Sequence, residues 1–249
     1  IDMKPAIRIF TQPDIMADSL AEEFYRYANQ SFLTRQNIYV ALSGGNTPML
    51  FFSKLAEFNQ QRRNKIDWKR IHFFWGDERC VPTDDEESNF GSVNRTLFSQ
   101  IDIPEKNVHP INGEAEPQAE AARYAEELRK TVPNKNGFPV FDWVFLGIGN
   151  DGHTASIFPG QLDLITSADL CVVTTHPETG QKRISITGTV INAARRVTFM
   201  ATGSEKTDIV RQIINREPVS KKYPAARIAP EKGTIDWYLD AEADRKSVV

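Results

Sequence analysis

The sequence predicts an α/β fold in which a mostly parallel sheet is covered by helices on both faces. Short apolar segments alternate with amphipathic segments from one end of the chain to the other. Several apolar segments run directly into loops rich in glycine or charge, as strands of such a sheet do at their ligand-binding ends. No shift in composition divides the chain, and we therefore expect a single domain over residues 1–249.

The composition is that of an ordinary globular protein. Of 249 residues, 40% are hydrophobic and 25% charged, and a net charge of −3 gives no general attraction to nucleic acid or anionic lipid. No run approaches the roughly 18 apolar residues of a membrane span, and the start lacks a signal-peptide pattern. Cys80 and Cys171 lack metal-ligand spacing, and Cys171 lies in an apolar run that predicts burial. We expect a cytoplasmic protein with no nucleic-acid or membrane partner.

Each predicted element follows from a local pattern. Apolar or alternating residues predict strands at 6–10, 37–42, 71–75, 143–147, 170–175, 183–187 and 196–201. Apolar stripes predict helices at 14–33, 47–57, 88–98, 117–131 and about 206–214, with a short helix at 235–239. We expect Thr47 to cap its helix and Pro48 to occupy the first helical position. Loops or irregular structure are expected at 76–82, 101–115 and 133–139.

The segment at 142–159 organises the predicted site. Four apolar residues at 143–146 predict a strand buried on both faces, and glycines follow at 147, 149 and 152. Asp151 and His153 lie within this turn, and the residues from Thr154 onward predict a helix. His153 is therefore expected at the carboxyl end of a strand, where ligands bind in α/β folds.

The same glycines match the Gly-x-Gly-x-x-Gly pattern of dinucleotide-binding loops, so that kind of site is an alternative. In that motif an acidic residue about 20 positions further on ends the next strand, whereas here Asp169 precedes one. The motif usually marks the first βαβ unit, but more than half of this chain comes earlier. A dinucleotide would not account for Asp151 and His153, and this alternative comes last.

Three other segments predict contacts with an anion or a reacting group. Residues 43–45, Ser-Gly-Gly, lie between a strand and a helix, where backbone N–H groups bind phosphate or carboxylate; a simple tight turn is the alternative. Arg183 begins a strand, and Lys206 lies at a helix start, where a nearby anion would offset the helix dipole; a solvated lysine is the alternative.

Asp77 and Arg79 belong to a run of three charges, Asp-Glu-Arg, placed directly after an apolar strand. Burying such charges is unfavourable unless they pair with one another or contact a ligand. Both are candidate site residues, and a surface cluster of ion pairs is the alternative.

Five segments together resemble the 6-phosphogluconolactonase family, within the larger sugar-phosphate isomerase/deaminase superfamily. They are Ala-Leu-Ser-Gly-Gly-Asn-Thr-Pro at 41–48, Phe-Trp-Gly-Asp-Glu-Arg at 74–79, Gly-Ile-Gly-Asn-Asp-Gly-His-Thr-Ala-Ser-Ile-Phe-Pro at 147–159, Arg-Ile-Ser-Ile-Thr at 183–187 and Gly-Ser-Glu-Lys at 203–206. The third is the most specific, and the first is shared across the superfamily. Asn46 is a small departure, since the family often has serine or another polar residue there.

The resemblance implies a Rossmann-like, three-layer α/β/α fold and hydrolysis of 6-phosphoglucono-1,5-lactone to 6-phosphogluconate, in the oxidative pentose phosphate pathway. It implies a small phosphorylated lactone as partner and no metal or nucleotide cofactor, and we expect a monomer or weak homodimer. His153 would be the catalytic base, and Arg79 would face the lactone carbonyl or the anionic end of the substrate. The phosphate-binding residues would be Ser43, Gly44, Gly45, Arg183 and Lys206.

This chemistry is reasonable for the residues present. A lactone is an activated ester, so water needs only a base and an electropositive site for the developing oxyanion. His153 can take the proton of water and return it to the ring oxygen. Either Asp151 or Asp77 could fix the tautomer of the imidazole, and the sequence leaves that choice open.

One rival comes from within the superfamily and a second from another class of protein. Glucosamine-6-phosphate deaminases resemble this pattern but carry an aromatic residue in place of Arg79 and a glutamate five positions after the histidine, where this chain has Phe158. A non-catalytic sugar-phosphate-binding regulator is the second rival. Sensing alone would require neither His153 nor Arg79, which favours the lactonase.

Overall fold

The computed structural model describes residues 4–63 and 65–244. The strands are β1 (Ala6–Phe10), β2 (Ile38–Leu42), β3 (Ile71–Trp75), β4 (Asp77–Arg79), β5 (Val108–His109), β6 (Asn134–Lys135), β7 (Phe138–Pro139), β8 (Trp143–Leu146), β9 (Cys171–Thr175), β10 (Lys182–Ile186), β11 (Arg196–Ala201) and β12 (Thr234–Asp240). The α-helices are α1 (Pro13–Ser31), α2 (Asn46–Gln61), α3 (Asn89–Thr96), α4 (Pro117–Thr131), α5 (Gly188–Asn192), α6 (Thr207–Ile214) and α7 (Ala241–Asp244).

A seven-stranded sheet forms the centre of the fold, in the strand order β1-β12-β11-β8-β2-β3-β5. Every neighbouring pair in it is parallel. β8 lies in the middle of the sheet, and each of its residues is buried, as expected of a strand covered on both faces. The predicted fold class, α/β with a mostly parallel sheet and helices, is confirmed.

Helix α1 shows how aromatic packing covers this sheet. Its apolar residues recur at helical spacing and form one buried side. On that side the ring of Phe24 lies 5.9 Å from Trp143 and 6.2 Å from Phe145, both in β8, and 6.1 Å from Phe51 of α2, measured between ring centroids. Burying one such ring contributes roughly 1.5–3 kcal/mol, so this contact attaches α1 and α2 firmly to the middle of the sheet.

A separate antiparallel sheet has the strand order β4-β10-β9. The prediction of a loop at 76–82 is wrong for its first part, because residues 77–79 form β4. Three consecutive charges are typical of a surface turn, and only the partner strand β10 reveals that their backbone is paired. Within this sheet Arg79 is directly opposite Arg183. Opposite residues of an antiparallel pair share a face, so two cations that are distant in sequence lie side by side.

Other errors in the predicted elements have local causes. Residues 235–239 belong to strand β12 and not to a helix; most of β12 is buried, so its apolar residues show no alternation. The region 101–115 contributes the short edge strand β5, and 133–139 contains the hairpin β6–β7. Such two-residue strands are too short to leave a periodic pattern in a sequence.

The segment after His153 is not helical. Thr154 and Ile157 form an isolated antiparallel bridge, and a 3-10 turn at Leu162–Ile165 follows. Pro159 comes too soon after Thr154 for a helix to become established, because proline removes a hydrogen-bond donor and clashes with the preceding turn. His153 therefore lies in a loop that joins a strand to further irregular structure.

Two expectations based on composition can be compared with the structure. Cys171 is buried, as predicted, and both cysteines are free thiols. Within residues 4–63 and 65–244, no helix combines the length and apolar character needed to cross a membrane.

Candidate active site

A cavity of about 330 Å³ opens at the carboxyl ends of β2, β8 and β11, with β4 at its side. β8 and β2 are neighbours at the centre of the sheet. β3, the strand that follows β2 in the chain, lies on one side of this pair, and β11 lies on the other side. Such a point of divergence is the usual ligand site of a parallel α/β sheet. Of the predicted site residues the cavity lining contains Ser43, Gly44, Gly45, Asp77, Arg79, His153, Arg183 and Lys206.

Asp151, the remaining predicted site residue, is hydrogen bonded to His153, which lines the cavity. Its Oδ1 lies 2.6 Å from His153 Nδ1 and also accepts a hydrogen bond of 3.0 Å from the His153 main-chain N–H. Burial acts to raise the pKa of Asp151, but the hydrogen bonds from His153 outweigh it and lower that pKa. With Nδ1 engaged by the carboxylate, Nε2 is the ring nitrogen available for proton exchange.

Position 149 of this loop requires glycine because the His153 ring lies directly against it. A Cβ atom added to Gly149 would lie 2.1 Å from His153 Nδ1, so any other residue would displace the imidazole. The Gly149 N–H donates to the His153 carbonyl at 2.9 Å, and the Gly152 N–H donates to the Gly149 carbonyl at 2.9 Å. The glycines therefore shape a tight loop around His153.

This geometry contradicts the dinucleotide alternative. A dinucleotide loop places the pyrophosphate at the N-terminus of the helix that follows its glycines. Among the described residues, the next α-helix after β8 is the five-residue α5, which begins only at Gly188. The glycine pattern in this chain belongs to the histidine loop.

The second carboxylate, Asp77, has different partners. Asp77 Oδ2 accepts a hydrogen bond from Ser156 Oγ at 2.5 Å, and its main-chain carbonyl accepts one from Asn89 Nδ2 at 2.9 Å. Of the two carboxylates that the sequence offered as partners of His153, Asp151 is the one hydrogen bonded to the ring. Asp77 instead connects β4 to the loop after His153 and to the start of α3.

Glu78, the middle residue of β4, is buried. Its carboxylate accepts hydrogen bonds from the main-chain N–H groups of Arg79, Asn89 and Phe90 at 2.8, 2.8 and 2.9 Å. Burial raises the pKa of Glu78 despite these bonds. Since Glu78 is only 2% exposed, the alternative of a surface ion-pair cluster at 77–79 is wrong.

The loop at residues 43–45 leads directly into the N-terminus of α2. Ser43 Oγ donates to the Phe145 carbonyl at 2.6 Å, which ties the loop to β8. The predicted cap is wrong: α2 begins at Asn46, and the Thr47 hydroxyl is 2.7 Å from Thr202 Oγ1. No side chain caps α2, so its first N–H groups remain available to an anion.

Gly44 in this loop needs to be glycine because of Asn89. A Cβ atom on Gly44 would lie 1.9 Å from Asn89 Oδ1. Asn89 therefore fills the space beside the loop at residues 43–45 while its amide donates to the Asp77 carbonyl. Through these two contacts Asn89 links Asp77 of β4 to the loop at residues 43–45.

Arg79, Arg183 and Lys206 line the cavity, and none of them has a carboxylate partner in the part of the chain that the structure describes. Arg183 is only 7% exposed, and burial followed by the charge of Arg79 lowers its pKa. Burial also lowers the pKa of Lys206. Among residues 4–63 and 65–244, none of these three cations forms an ion pair. Arg79 Nε is buried without a hydrogen-bond partner. A set of one buried and two partly exposed cations without ion pairs to the described residues is suited to an anionic ligand.

Comparison with known proteins decides the family. The sequence profile of glucosamine-6-phosphate isomerases/6-phosphogluconolactonase matches residues 11–237. This chain belongs to that family. It is 44% identical to a 6-phosphogluconolactonase of Haemophilus influenzae, over 92% of this chain and 94% of that protein.

Two solved structures agree with this family assignment. The crystal structure of a protein called devB superposes with a TM-score of 0.90 at 46% identity, covering 98% of this chain and 99% of the other. That of a 6-phosphogluconolactonase from Thermotoga maritima superposes with a TM-score of 0.81 at 30% identity, covering 95% and 100%. The family resemblance expected from the five segments is confirmed.

Sequence reasoning missed several residues around the cavity. Asn89, Thr202 and Glu205 line it, and Ser156 and Gln181 contact its charged side chains. Asn89 follows a serine that caps α3, which was a usable signal for a helix start near the site. Gln181 stands in a hairpin and carries no signal that a sequence could reveal. In the described residues no group of three or more acidic, histidine or cysteine side chains is arranged to hold a metal.

Proposed function

We propose that this chain hydrolyses 6-phosphoglucono-1,5-lactone to 6-phosphogluconate in the pentose phosphate pathway. Its relatives from Haemophilus influenzae and Thermotoga maritima are named 6-phosphogluconolactonase, and it shares their length and fold. One observation carries the proposal: His153, bonded to the Asp151 carboxylate, lines the same cavity as three cations that form no ion pair with any described residue. The cavity thus combines a base with an anion-binding surface.

The phosphate of the substrate is assigned to the cationic end of the cavity. The N–H groups of residues 43–45 and the start of α2 donate hydrogen bonds to its oxygens, and the helix dipole favours its charge. Arg183 and Lys206 supply the positive charge. These contacts persist throughout the reaction, so they orient the lactone carbonyl against the attacking water.

In the chemical step His153 acts as a general base. Its Nε2 takes a proton from water while the water oxygen bonds to the lactone carbonyl carbon, and the carbonyl oxygen becomes an oxyanion. The guanidinium of Arg79, which lines the cavity, stabilises that oxyanion. When the oxyanion collapses, the bond to the ring oxygen breaks, and His153 returns the proton to that oxygen. Asp151 keeps the Nδ1 proton in place and stabilises the imidazolium.

The environment of Phe158 supports hydrolysis over deamination. Phe158 is 2% exposed, and its ring centroid is 5.0 Å from that of His153. An apolar ring therefore occupies the position at which the deaminases carry a carboxylate. A regulator that only binds sugar phosphates would not need the hydrogen-bonded pair of His153 and Asp151.

The test compares two reactions of the purified protein. Freshly prepared 6-phosphogluconolactone should release protons faster than the spontaneous rate measured without enzyme, and glucosamine 6-phosphate should release no ammonia. Ammonia release without lactone hydrolysis would transfer the proposal to the deaminase, and binding of the sugar phosphate with neither reaction would favour the regulator.

We also propose a single domain that acts in the cytoplasm as a monomer or weak homodimer, on a free small molecule, without nucleic acid or membrane. The two free cysteines suit a reducing compartment, and the net charge of −3 gives no attraction to polyanions. Light scattering at several concentrations should give a mass close to the 28.2 kDa of one chain. A constant mass of a higher oligomer would contradict this.

A further inference from the structure

Gln181 links the buried Arg183 to an acidic residue. Arg183 Nε donates to Gln181 Oε1 at 3.0 Å, and Gln181 Nε2 donates to Glu87 Oε2 at 2.9 Å. Gln181 lies two residues before Arg183, at the end of the hairpin turn that leads into β10. Residues two apart on an extended chain share a side, so the amide lies beside the guanidinium.

The backbone of this link is held in place. The Gln181 carbonyl accepts a hydrogen bond of 2.9 Å from the His176 N–H, which closes the hairpin between β9 and β10. On the other side, the Glu87 main-chain carbonyl accepts a hydrogen bond of 2.9 Å from Arg79 Nη1. Glu87 is thus connected to both arginines of the cavity. Its main-chain carbonyl bonds directly to Arg79, and its carboxylate is linked to Arg183 through Gln181.

The amide separates two opposite charges. The carboxylate of Glu87 is close enough to act on the charge of Arg183, as are Asp77 and Glu78, while Arg79 opposes them. Arg183 nevertheless has no ion pair among the described residues: its Nε donates to the neutral Gln181, and its Nη1 donates to Ser156 Oγ at 3.5 Å. A carboxylate at that place would form a charge-assisted pair with the guanidinium and compete with a bound anion.

We propose that Gln181 is a positioning residue for the substrate phosphate. Its neutral amide fixes Arg183 through Nε and holds the Glu87 carboxylate away. The Nη groups of Arg183 therefore remain charged and oriented toward a phosphate monoester in the cavity. This inference rests on the proposed function only for the identity of the phosphate ester; the anion contact itself does not depend on the reaction.

The test uses Gln181→Glu and Gln181→Leu, with Gln60→Glu as the matched control. Gln60 is exposed on α2 and hydrogen bonded to Gln100, so it adds the same charge elsewhere. Calorimetry gives the Kd of 6-phosphogluconate, and steady-state kinetics give KM and kcat. Gln181→Glu should raise Kd and KM roughly tenfold or more, the size expected for a lost charged hydrogen bond, and Gln181→Leu a few-fold. In both, kcat should stay within about twofold, since the phosphate contact is made throughout the reaction.

Salt dependence separates charge from shape. The difference between Gln181→Glu and Gln181→Leu should shrink as ionic strength rises, because salt screens the added carboxylate. Equal losses in the two variants would overturn the role of the neutral amide, and affinities like that of Gln60→Glu would overturn the positioning role. A fall in kcat with unchanged Kd would also overturn it.

Inorganic phosphate makes the test independent of the reaction. The rise in melting temperature with phosphate concentration should be smaller in Gln181→Glu than in Gln60→Glu. If the wild type binds phosphate but does not hydrolyse the lactone, the proposed function fails, and this comparison still decides the role of Gln181. Equal phosphate dependence in the two variants would overturn the inference even in an active lactonase.

Discussion

Two buried arginines, at opposite ends of the fold, show how differently one residue type can be used. Arg196 begins β11, and its Nη atoms contact Glu23 at 2.7 Å and Asp236 at 2.6 Å. Although burial acts the other way, these carboxylates raise the pKa of Arg196. Arg183, in the cavity, has no carboxylate partner within residues 4–63 and 65–244, and its pKa is lowered by burial and by the charge of Arg79. The fold pairs Arg196 with two carboxylates, whereas Arg183, the proposed phosphate contact, forms no ion pair among the described residues.

The comparison of Arg183 with Arg196 distinguishes a loss of activity from a loss of stability. Residues of the cavity should affect turnover or substrate affinity with little effect on stability. Residues around Arg196 should affect stability and leave the kinetics of the folded enzyme unchanged. The following variants test this separation, in order of the expected effect.

His153→Ala should lower kcat by about two to four orders of magnitude, the range typical of a lost general base. The Kd of 6-phosphogluconate and the melting temperature should change little, because the ring is partly exposed and holds no element in place. Steady-state assays corrected for spontaneous hydrolysis measure kcat. An unchanged kcat would falsify the assignment of His153 as base.

Arg196→Met should reduce the free energy of unfolding by about 3 kcal/mol, since it leaves the buried Asp236 without its cation, while Glu23 keeps Arg26. Urea unfolding measures this loss. Below the unfolding transition, KM and kcat should equal those of the wild type. A change in KM without a loss of stability would break the comparison.

Arg183→Met is the matched variant in the cavity. It should raise KM roughly ten- to a hundredfold, because a charged hydrogen bond to the phosphate is lost, while kcat stays nearly constant. Its free energy of unfolding should fall by less than about 1 kcal/mol or rise, since the folded protein no longer buries an unneutralised charge. Lys206→Ala should change KM in the same direction. A destabilisation of Arg183→Met as large as that of Arg196→Met would remove the distinction between the two arginines.

The pH dependence of stability sharpens the comparison on the side of Arg196. Burial acts to raise the pKa of Glu23, but hydrogen bonds from Arg26 and Arg196 lower it from 4.5 to about 2. A carboxyl group with a lowered pKa stabilises the fold above its unfolded pKa, and this contribution disappears as the pH falls from 4.5 toward 2. Glu23→Gln should therefore cost about 1–3 kcal/mol at pH 7 and progressively less as the pH decreases through that window.

The matched control for this pH experiment is Glu22→Gln. Glu22 is 56% exposed and pairs with Arg62 at the surface, where an ion pair contributes less than about 1 kcal/mol. Urea unfolding at several pH values measures both variants against the wild type. A difference between wild type and Glu23→Gln that is the same at pH 3 as at pH 7 would contradict the coupling.

The long, regular elements were predictable because their patterns are local. Helix α4 has the predicted bounds, since its alanine- and glutamate-rich sequence favours a helix without tertiary contacts. Strand β12 was not predictable, because a strand that is buried over most of its length lacks alternation, and its apolar residues Ile235, Tyr238 and Leu239 have a spacing that fits a helix equally well. Strand β4 was missed because its partner β10 is about a hundred residues away in the chain.

The site divides in the same way. The sequence alone determined the candidates for the chemistry, namely His153, the glycines that shape its loop, and the Ser-Gly-Gly loop, because such loops are recognised from local backbone requirements. Only the tertiary structure decided that Asp151 and not Asp77 bonds to His153, and that Gln181 separates Arg183 from Glu87. Pairing and separation of charges depend on distances of a few ångströms between distant segments of the chain, and a sequence does not contain those distances.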